Sequence, residues 1–268
     1  MTVTWPVAED PVPVGKLLRR WRERRRLTQL DLALQAGVSA RHLSFIENGR
    51  SRPTSEMILR IAQQLDVPLR ERNVLLLSGG HAPVYPANKL ADPPMLAVHQ
   101  AIEHVLRAAE PYPALVIDSR WDLVASNSAL AQLTEGAAPA LLEPPVNVLR
   151  LSLHPEGLAP LTVNLGEWRA HLLERLGRDI ESTADPGLIA LREELGGYPS
   201  PPPEPGLDTR AILVPLRMRV RGTVLSLFST TTVFGTPRDV MLSELAIESF
   251  YPADAPSDAF LKDCGPVA

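Results

Sequence analysis

Through the first quarter of the chain, apolar residues recur every three or four positions, and residues that start or stop helices stand between the repeats. Val14, Leu17, Leu18 and Trp21 predict a first helix over 14–26. Thr28 is placed to cap a second helix, whose inward positions read as Leu30, Ala33 and Leu34. Gly37 supplies a turn at positive φ, and Val38 plugs the angle behind it. Ser39 caps a third helix with Leu43 and Ile46 inward, which leaves Ala40, Arg41, Ser44 and Phe45 on the outer face with His42 beside them. Asn48-Gly49-Arg50 closes that helix. Pro53 and Thr54-Ser55 open a fourth, Glu56 to Leu65, with Met57, Ile58, Ile61, Ala62 and Leu65 as its stripe. Val67-Pro68 stops it, and Arg70 to Leu77 makes a fifth. Five short helices predict an all-α domain over residues 14–77, behind an N-terminal arm at 1–13.

Residues 78–94 lose the period and hold four prolines, the composition of a linker. A second domain, 95–268, opens with a helix from Met95 whose stripe reads Leu96, Val98, Ile102, Val105 and Leu106. Strands are predicted at 114–118 and 121–126 around a turn at Ser119-Arg120, followed by a helix capped by Asn127. Residues 137–207 are helical and loose, with Trp168, Leu172, Leu173, Leu176 and Ile180 on one helix face, Leu188 to Leu195 as a shorter helix, and a loop at 198–206. A hairpin turning at Arg221-Gly222 pairs Met218 with Leu225 and Leu216 with Leu227. A fifth strand is predicted from Met241 to Ser249 with Met241, Leu245 and Ile247 inward. Five antiparallel strands with helices across one face make an α+β, PAS-like domain.

Composition changes the picture in one respect. The net charge of −4 divides unevenly, because residues 1–77 hold 13 Lys+Arg against 8 Asp+Glu and the remainder holds 14 against 23. A basic head on an acidic body suits nucleic acid bound at one end. The run RRWRERRR (19–26) dominates that head, much of it as solvated helix surface. The single cysteine, Cys264, rules out an internal disulfide and reads as a solvated tail residue. No run approaches the ~18 apolar residues of a membrane span. The first residues carry acids and prolines where a secretory signal needs a basic and then an apolar run. A cytoplasmic protein with no membrane partner is expected.

Two short capped helices around a glycine turn, with a mixed polar outer face on the second, form a reading head for the DNA major groove. Residues 14–77 resemble the helix-turn-helix domain of the phage-repressor-like XRE regulators at Thr28-Gln29, Leu32-Ala33, Gly37-Val38-Ser39, Leu43, Ile46-Glu47-Asn48-Gly49 and Pro53. The resemblance implies a phosphate contact from Gln29 at a helix N-terminus. It implies base-edge contact from Arg41, apolar contact to thymine methyls from Ala40 and Phe45, and a base or phosphate contact from Ser44. Asn48 and Arg50 would hold the backbone, Ser39 would lie at the interface, His42 would be either a base reader or a mere surface residue, and Glu47 would pair with Arg22 instead of facing DNA. Such heads read two half-sites, so a homodimer on double-stranded operator DNA is implied.

The order helix-turn-helix, linker, PAS-like domain resembles the XRE regulators with an MmyB-like ligand-binding domain. The matching residues are Trp121-Asp122 with Asn127, Asn147-Val148-Leu149-Arg150, Val214-Pro215-Leu216-Arg217, Phe228-Ser229-Thr230-Thr231, Phe234-Gly235-Thr236-Pro237 with Asp239, and Pro252-Ala253-Asp254. One place departs from that pattern: where many members carry a Ser-x-Glu-Phe plus Trp signature, this chain reads GGYPSPPPEPG. The resemblance implies a fatty acid or other apolar small molecule held between sheet and helices, and the residues themselves call for no other cofactor. Leu216, Met218, Leu225 and Leu227 would form its floor and Trp168, Leu172 and Leu176 its roof. Arg150, His154 or Arg169 would meet a carboxylate at the mouth.

Other chemistries find less support. A haem would draw on His99, His104, His154 or His171, each a lone histidine of the kind that is usually surface or core. No His/Cys cluster has metal-ligand spacing, and no nucleophile–base pair or phosphate-cradling loop is visible, so no enzyme is expected. The chain reads as a DNA-binding transcription regulator that senses an apolar molecule. The alternative is an interaction module whose helix-turn-helix docks on another regulator.

Overall fold

The computed structural model describes residues 12–201 and 213–263. Cys264, most of the N-terminal arm and part of the 198–206 loop therefore lie outside the described residues. The chain divides into two compact units, Met1–Ala87 and Asn88–Ala268.

The first unit packs five helices: α1 (Val14–Arg24), α2 (Gln29–Ala36), α3 (Ala40–Glu47), α4 (Ser55–Gln64) and α5 (Leu69–Ser78). Its caps are those the sequence calls for. The Thr28 hydroxyl accepts from the Asp31 N–H while the Asp31 carboxylate takes the Thr28 N–H, a reciprocal capping box. Gly37 sits at φ 65°, and the Ser39 and Thr54 hydroxyls accept from the His42 and Met57 N–H groups. The core is Leu18, Trp21, Leu32, Leu43, Ile46, Ile58, Ile61, Leu65, Leu75 and their neighbours.

The expected inward face of α2 requires correction. Ala33 is buried as expected, but Leu30 and Leu34 are 59% and 72% exposed, and Leu32 and Ala36 are buried in their place. Apolar residues occupy two opposite stripes of this helix, and the one at 32, 33 and 36 is the one that packs. The Gln29 amide donates to Glu47 of α3, a tie that fits positions 32, 33 and 36 packing into the core.

The second unit is built on a five-stranded antiparallel sheet ordered β2-β1-β5-β4-β3. The strands are β1 (Ala114–Ile117), β2 (Leu123–Ser126), β3 (Leu216–Val220), β4 (Thr223–Val233) and β5 (Ala246–Pro252). The helices are α6 (Leu96–Ala109), α7 (Leu130–Leu133), α8 (Val148–Leu153), α9 (Leu165–Thr183), α10 (Pro186–Gly196), α11 (Val240–Glu244) and α12 (Ala255–Asp263). The β3–β4 hairpin has the predicted register, Leu216 opposite Leu227 and Met218 opposite Leu225. Its two turn residues, Arg221 and Gly222, both take positive φ, the backbone that matches strand twist.

Both sheet faces carry core, not one. Leu115, Ile117, Leu216, Met218, Leu225, Leu227 and Phe250 pack with Trp168, Leu172 and Leu176 of α9 and with Leu188, Leu191 and Leu195 of α10. On the other face, Ala114, Val116, Leu245 and Ile247 pack under Ile102, Leu106 and Ala109 of α6. Leu96 and Val105, expected on the inward stripe of α6, are 59% and 40% exposed.

Three further local expectations change. Met241 to Glu244 is helical because the Asp239 carboxylate accepts from the Leu242 N–H and starts α11; the strand begins only at Ala246 and runs to Pro252. Trp121 lies outside the strand, at φ 65° in the turn before β2. Asn127 caps no helix. Its Oδ1 accepts from the Ala114 N–H, and its Nδ2 donates to the Leu106 and Tyr112 carbonyls, which ties α6 to the start of β1.

Candidate nucleic-acid interface and ligand cavity

In the first unit, α3 presents its face at positions 40, 41, 44, 45 and 48, the spacing of one helical side. Arg41 is exposed, and its guanidinium lies 5.4 Å over the Phe45 ring. Ala40, His42, Ser44 and Phe45 are half-buried, and Ser39, Asn48 and Arg50 are exposed. Asn48 Nδ2 donates to the Ser44 carbonyl at 2.8 Å and to its Oγ at 3.3 Å, so the polar edge of the helix is held in place.

Behind this face lies a buried ion pair. Arg22 Nε and Nη2 donate to Glu47 Oε1 and Oε2 at 2.7 and 2.8 Å, and Arg22 Nη1 reaches the Leu27 carbonyl. The bond to Glu47 raises the Arg22 pKa further above its ordinary value. Glu47 thus faces inward, paired as the sequence suggests. Gln29 spends its amide on the same carboxylate, Nε2 to Oε2 at 2.8 Å, an engagement the sequence reading did not include.

In the second unit, a cavity of about 270 Å³ lies between the sheet and α7, α8 and α9. Its walls are mainly apolar: Leu115, Trp121, Leu133, Leu149, Leu151, Trp168, Leu172, Leu216, Met218 and Phe250. Ser126, Asn127, Thr134, Ser152 and Glu248 add polar atoms. Ser152 Oγ accepts from Trp168 Nε1 at 3.0 Å, which fixes that ring. Trp121 Nε1 donates to Asp179 at 3.0 Å, and the Arg175 guanidinium lies 4.8 Å over its ring. Burial pushes the Asp179 carboxyl above the ordinary aspartate value, and burial lowers the pKa of His171, which stacks on Trp168.

Of the expected ligand contacts, Trp168, Leu172, Leu216 and Met218 line the cavity. Leu176, Leu225 and Leu227 belong to the same core but not to the cavity wall. The three expected carboxylate partners lie elsewhere. Arg150 holds Glu194 with two bonds, at 2.7 and 2.8 Å, which raises the arginine pKa and lowers that of the glutamate. Arg169 donates to the Leu195 and Gly196 carbonyls. His154 meets the edge of the Tyr198 ring, whose hydroxyl is pushed up to about 12 by burial and by its bond to Glu194. His99 and His104 are exposed on α6, and neither they nor His154 and His171 line the cavity.

Trp121, Leu149, Glu248 and Phe250 were missed. Trp121 and Leu149 both fall within motifs that stand out in the sequence. Assigning Trp121 to a strand hid that its positive-φ turn throws the indole inward.

A basic helix-turn-helix unit and a PAS-like unit enclosing an apolar cavity define a transcription regulator with a small-molecule-binding domain. Comparison with known proteins gives the family. Residues 98–263 match the family model of the MmyB-like transcription regulator ligand binding domain, and residues 18–72 match a helix-turn-helix model. The first match covers more than half of the chain, which therefore belongs to the MmyB-like regulators. A curated relative, the uncharacterized HTH-type transcriptional regulator RghRB of Bacillus subtilis (strain 168), is 37% identical over 75 residues. That alignment covers 28% of this chain and 52% of the relative, so the chain spans about half the length of the curated protein it matches. Among solved structures, an RNA-binding light-oxygen-voltage receptor aligns at 14% identity with a TM-score of 0.26 over 93% of this chain and 61% of that one. Among the described residues no helix is long and apolar enough to cross a membrane.

Proposed function

We propose that the chain is a cytoplasmic, sequence-specific DNA-binding regulator, active as a homodimer, whose operator affinity is set by an apolar molecule in the cavity of its second unit. The observation that carries the DNA half is the state of the α3 cations. Arg41 and Arg50 are exposed, and among the described residues their guanidinium groups make no hydrogen bond or ion pair, Arg41 resting only over the Phe45 ring, whereas Arg22 is spent on Glu47. Free guanidinium groups along and just beyond a capped, outward helix face fit base edges and phosphates. Gln29, Ser39, Ala40, His42, Ser44, Phe45 and Asn48 complete the contact surface, with Gln29 releasing part of its bond to Glu47. A single α3 reads only a few base pairs, which is the reason for two copies on two half-sites.

The ligand half rests on the cavity, whose apolar walls match the body of a fatty-acyl-sized molecule. Fluorescence anisotropy on duplexes tiled across the protein's own upstream region, against a scrambled duplex at the same salt, tests the reading. The expected result is a preference of at least ~10³ for one duplex. Equal affinity for every duplex overturns it.

A further inference from the structure

The cavity walls include one ionisable group among the described residues that line them, Glu248 of β5. It is 3% exposed. One of its oxygens, Oε1, accepts from Arg175 Nη1 at 2.6 Å, and the other has no hydrogen-bond partner among the described residues. Arg175 is engaged three ways, with Glu248, with Thr231 Oγ1 at 3.3 Å and with the Trp121 ring, and does not itself line the cavity. A molecule entering therefore meets a carboxylate, with the balancing cation behind it. The cations that were expected to take an acidic head do not line the cavity: Arg150 is paired with Glu194, and Arg169 gives Nη2 to the Leu195 and Gly196 carbonyls while its Nε has no hydrogen-bond partner among the described residues.

Two physical consequences follow. An acceptor oxygen in an apolar wall gains most from a donor that fills its open lone pairs. A second carboxylate placed beside it is repelled at low dielectric, with no cation among the lining residues to offset the cost. We propose that the cavity selects an apolar molecule whose polar end donates a hydrogen bond, an alcohol or a protonated amine, and that Glu248 is the residue that sets this preference against acids. The proposal rests on the cavity being the ligand site, and the test separates the two claims.

The test uses the full chain at pH 8 and three eight-carbon probes, octan-1-ol, octylamine and octanoate, followed by quenching of tryptophan fluorescence. Trp121 and Trp168 both line the cavity and report its filling. The expected result is that the alcohol and the ammonium bind at least tenfold more tightly than octanoate. Glu248→Gln, which keeps an acceptor for Arg175 and removes the charge, is expected to narrow the gap between amine and acid to under threefold. The wild-type ranking needs no variant, so the proposal remains testable if Glu248→Gln does not fold. Octanoate binding as tightly as the other two in wild type overturns the head-group proposal. A gap unchanged in folded Glu248→Gln overturns the role of Glu248. Leu149→Trp, or Met218→Trp should the first fail to fold, blocks the cavity and is expected to abolish binding of all three probes. Failure of every probe to bind wild type, or undiminished binding to a blocked variant, overturns the cavity reading itself.

Discussion

Arg22 and Glu47, 25 residues apart, meet as a fork on a carboxylate at 2.7 and 2.8 Å, with the glutamate side chain 1% exposed and the arginine side chain 10% exposed. The pair ties the end of α1 to the end of α3, and Gln29 joins it from the start of α2. Three helix positions around the reading face are thus fixed by one carboxylate. Glu47→Ala leaves the buried guanidinium with only the Leu27 carbonyl and the looser contact to Glu23 at 3.9 Å, and is expected to cost about 2–4 kcal/mol. Denaturant melting of the helix-turn-helix signal measures this, with Glu47→Gln expected to lose less.

Gly15 sits where α1 crosses the end of α3. A Cβ built there would stand 2.1 Å from the Ile46 carbonyl oxygen and 3.0 Å from that of Glu47, both backbone atoms that cannot step aside. Gly15→Ala should force the helices apart and destabilise the unit by about 1–3 kcal/mol, despite the higher helix propensity of alanine. A variant as stable as wild type would show that the crossing relaxes freely.

Arg41 and Arg50 should separate in their effects on DNA. Arg41→Ala is expected to cost about 1–3 kcal/mol on the operator and little on random sequence, so that discrimination falls. Arg50→Ala is expected to weaken both alike and to reduce the salt dependence by about one ion. Titrations of both duplexes at several salt concentrations resolve the two; equal losses for Arg41→Ala would remove its base-reading role.

Asp179, whose carboxyl burial raises above its ordinary 3.8, makes a pH prediction. A raised native value means that the folded state keeps the proton to higher pH than the unfolded chain does. The associated stability is complete below the ordinary value and is lost as pH rises through the native one. Asp179→Asn keeps an acceptor for Trp121 Nε1 and carries no buried charge. It should therefore raise Tm at pH 7 by about 1–3 °C, with the gain vanishing as pH falls toward 4. A gain that is constant across this range would contradict the assignment.

Elements whose signals agree were legible from sequence. Thr28, Gly37, Ser39 and Thr54 mark helix ends by chemistry that acts within four residues, and the β3–β4 register follows from a two-residue turn. What failed depended on partners far along the chain. Leu30 and Leu34 look inward because α2 is apolar on two sides, and the core that takes Leu32, Ala33 and Ala36, like the Glu47 that Gln29 reaches, comes from elements elsewhere in the chain. Arg150 and Arg169 look like free anion receptors until α10 supplies Glu194 and the Leu195 and Gly196 carbonyls. Glu248 escaped notice because β5 is buried on both faces. Leu245 and Ile247 lie under α6, while Glu248 and Phe250 face the cavity, so polar alternation no longer marks solvent.

The central claim is that filling the cavity changes how tightly the helix-turn-helix holds its operator. The direct measurement is operator affinity of the full chain with and without a saturating cavity-binding compound, repeated in Leu149→Trp. The account predicts at least a fivefold change in wild type, about 1 kcal/mol of coupling, and none in the blocked variant. Operator affinity that does not respond to a compound proven to occupy the cavity would contradict it.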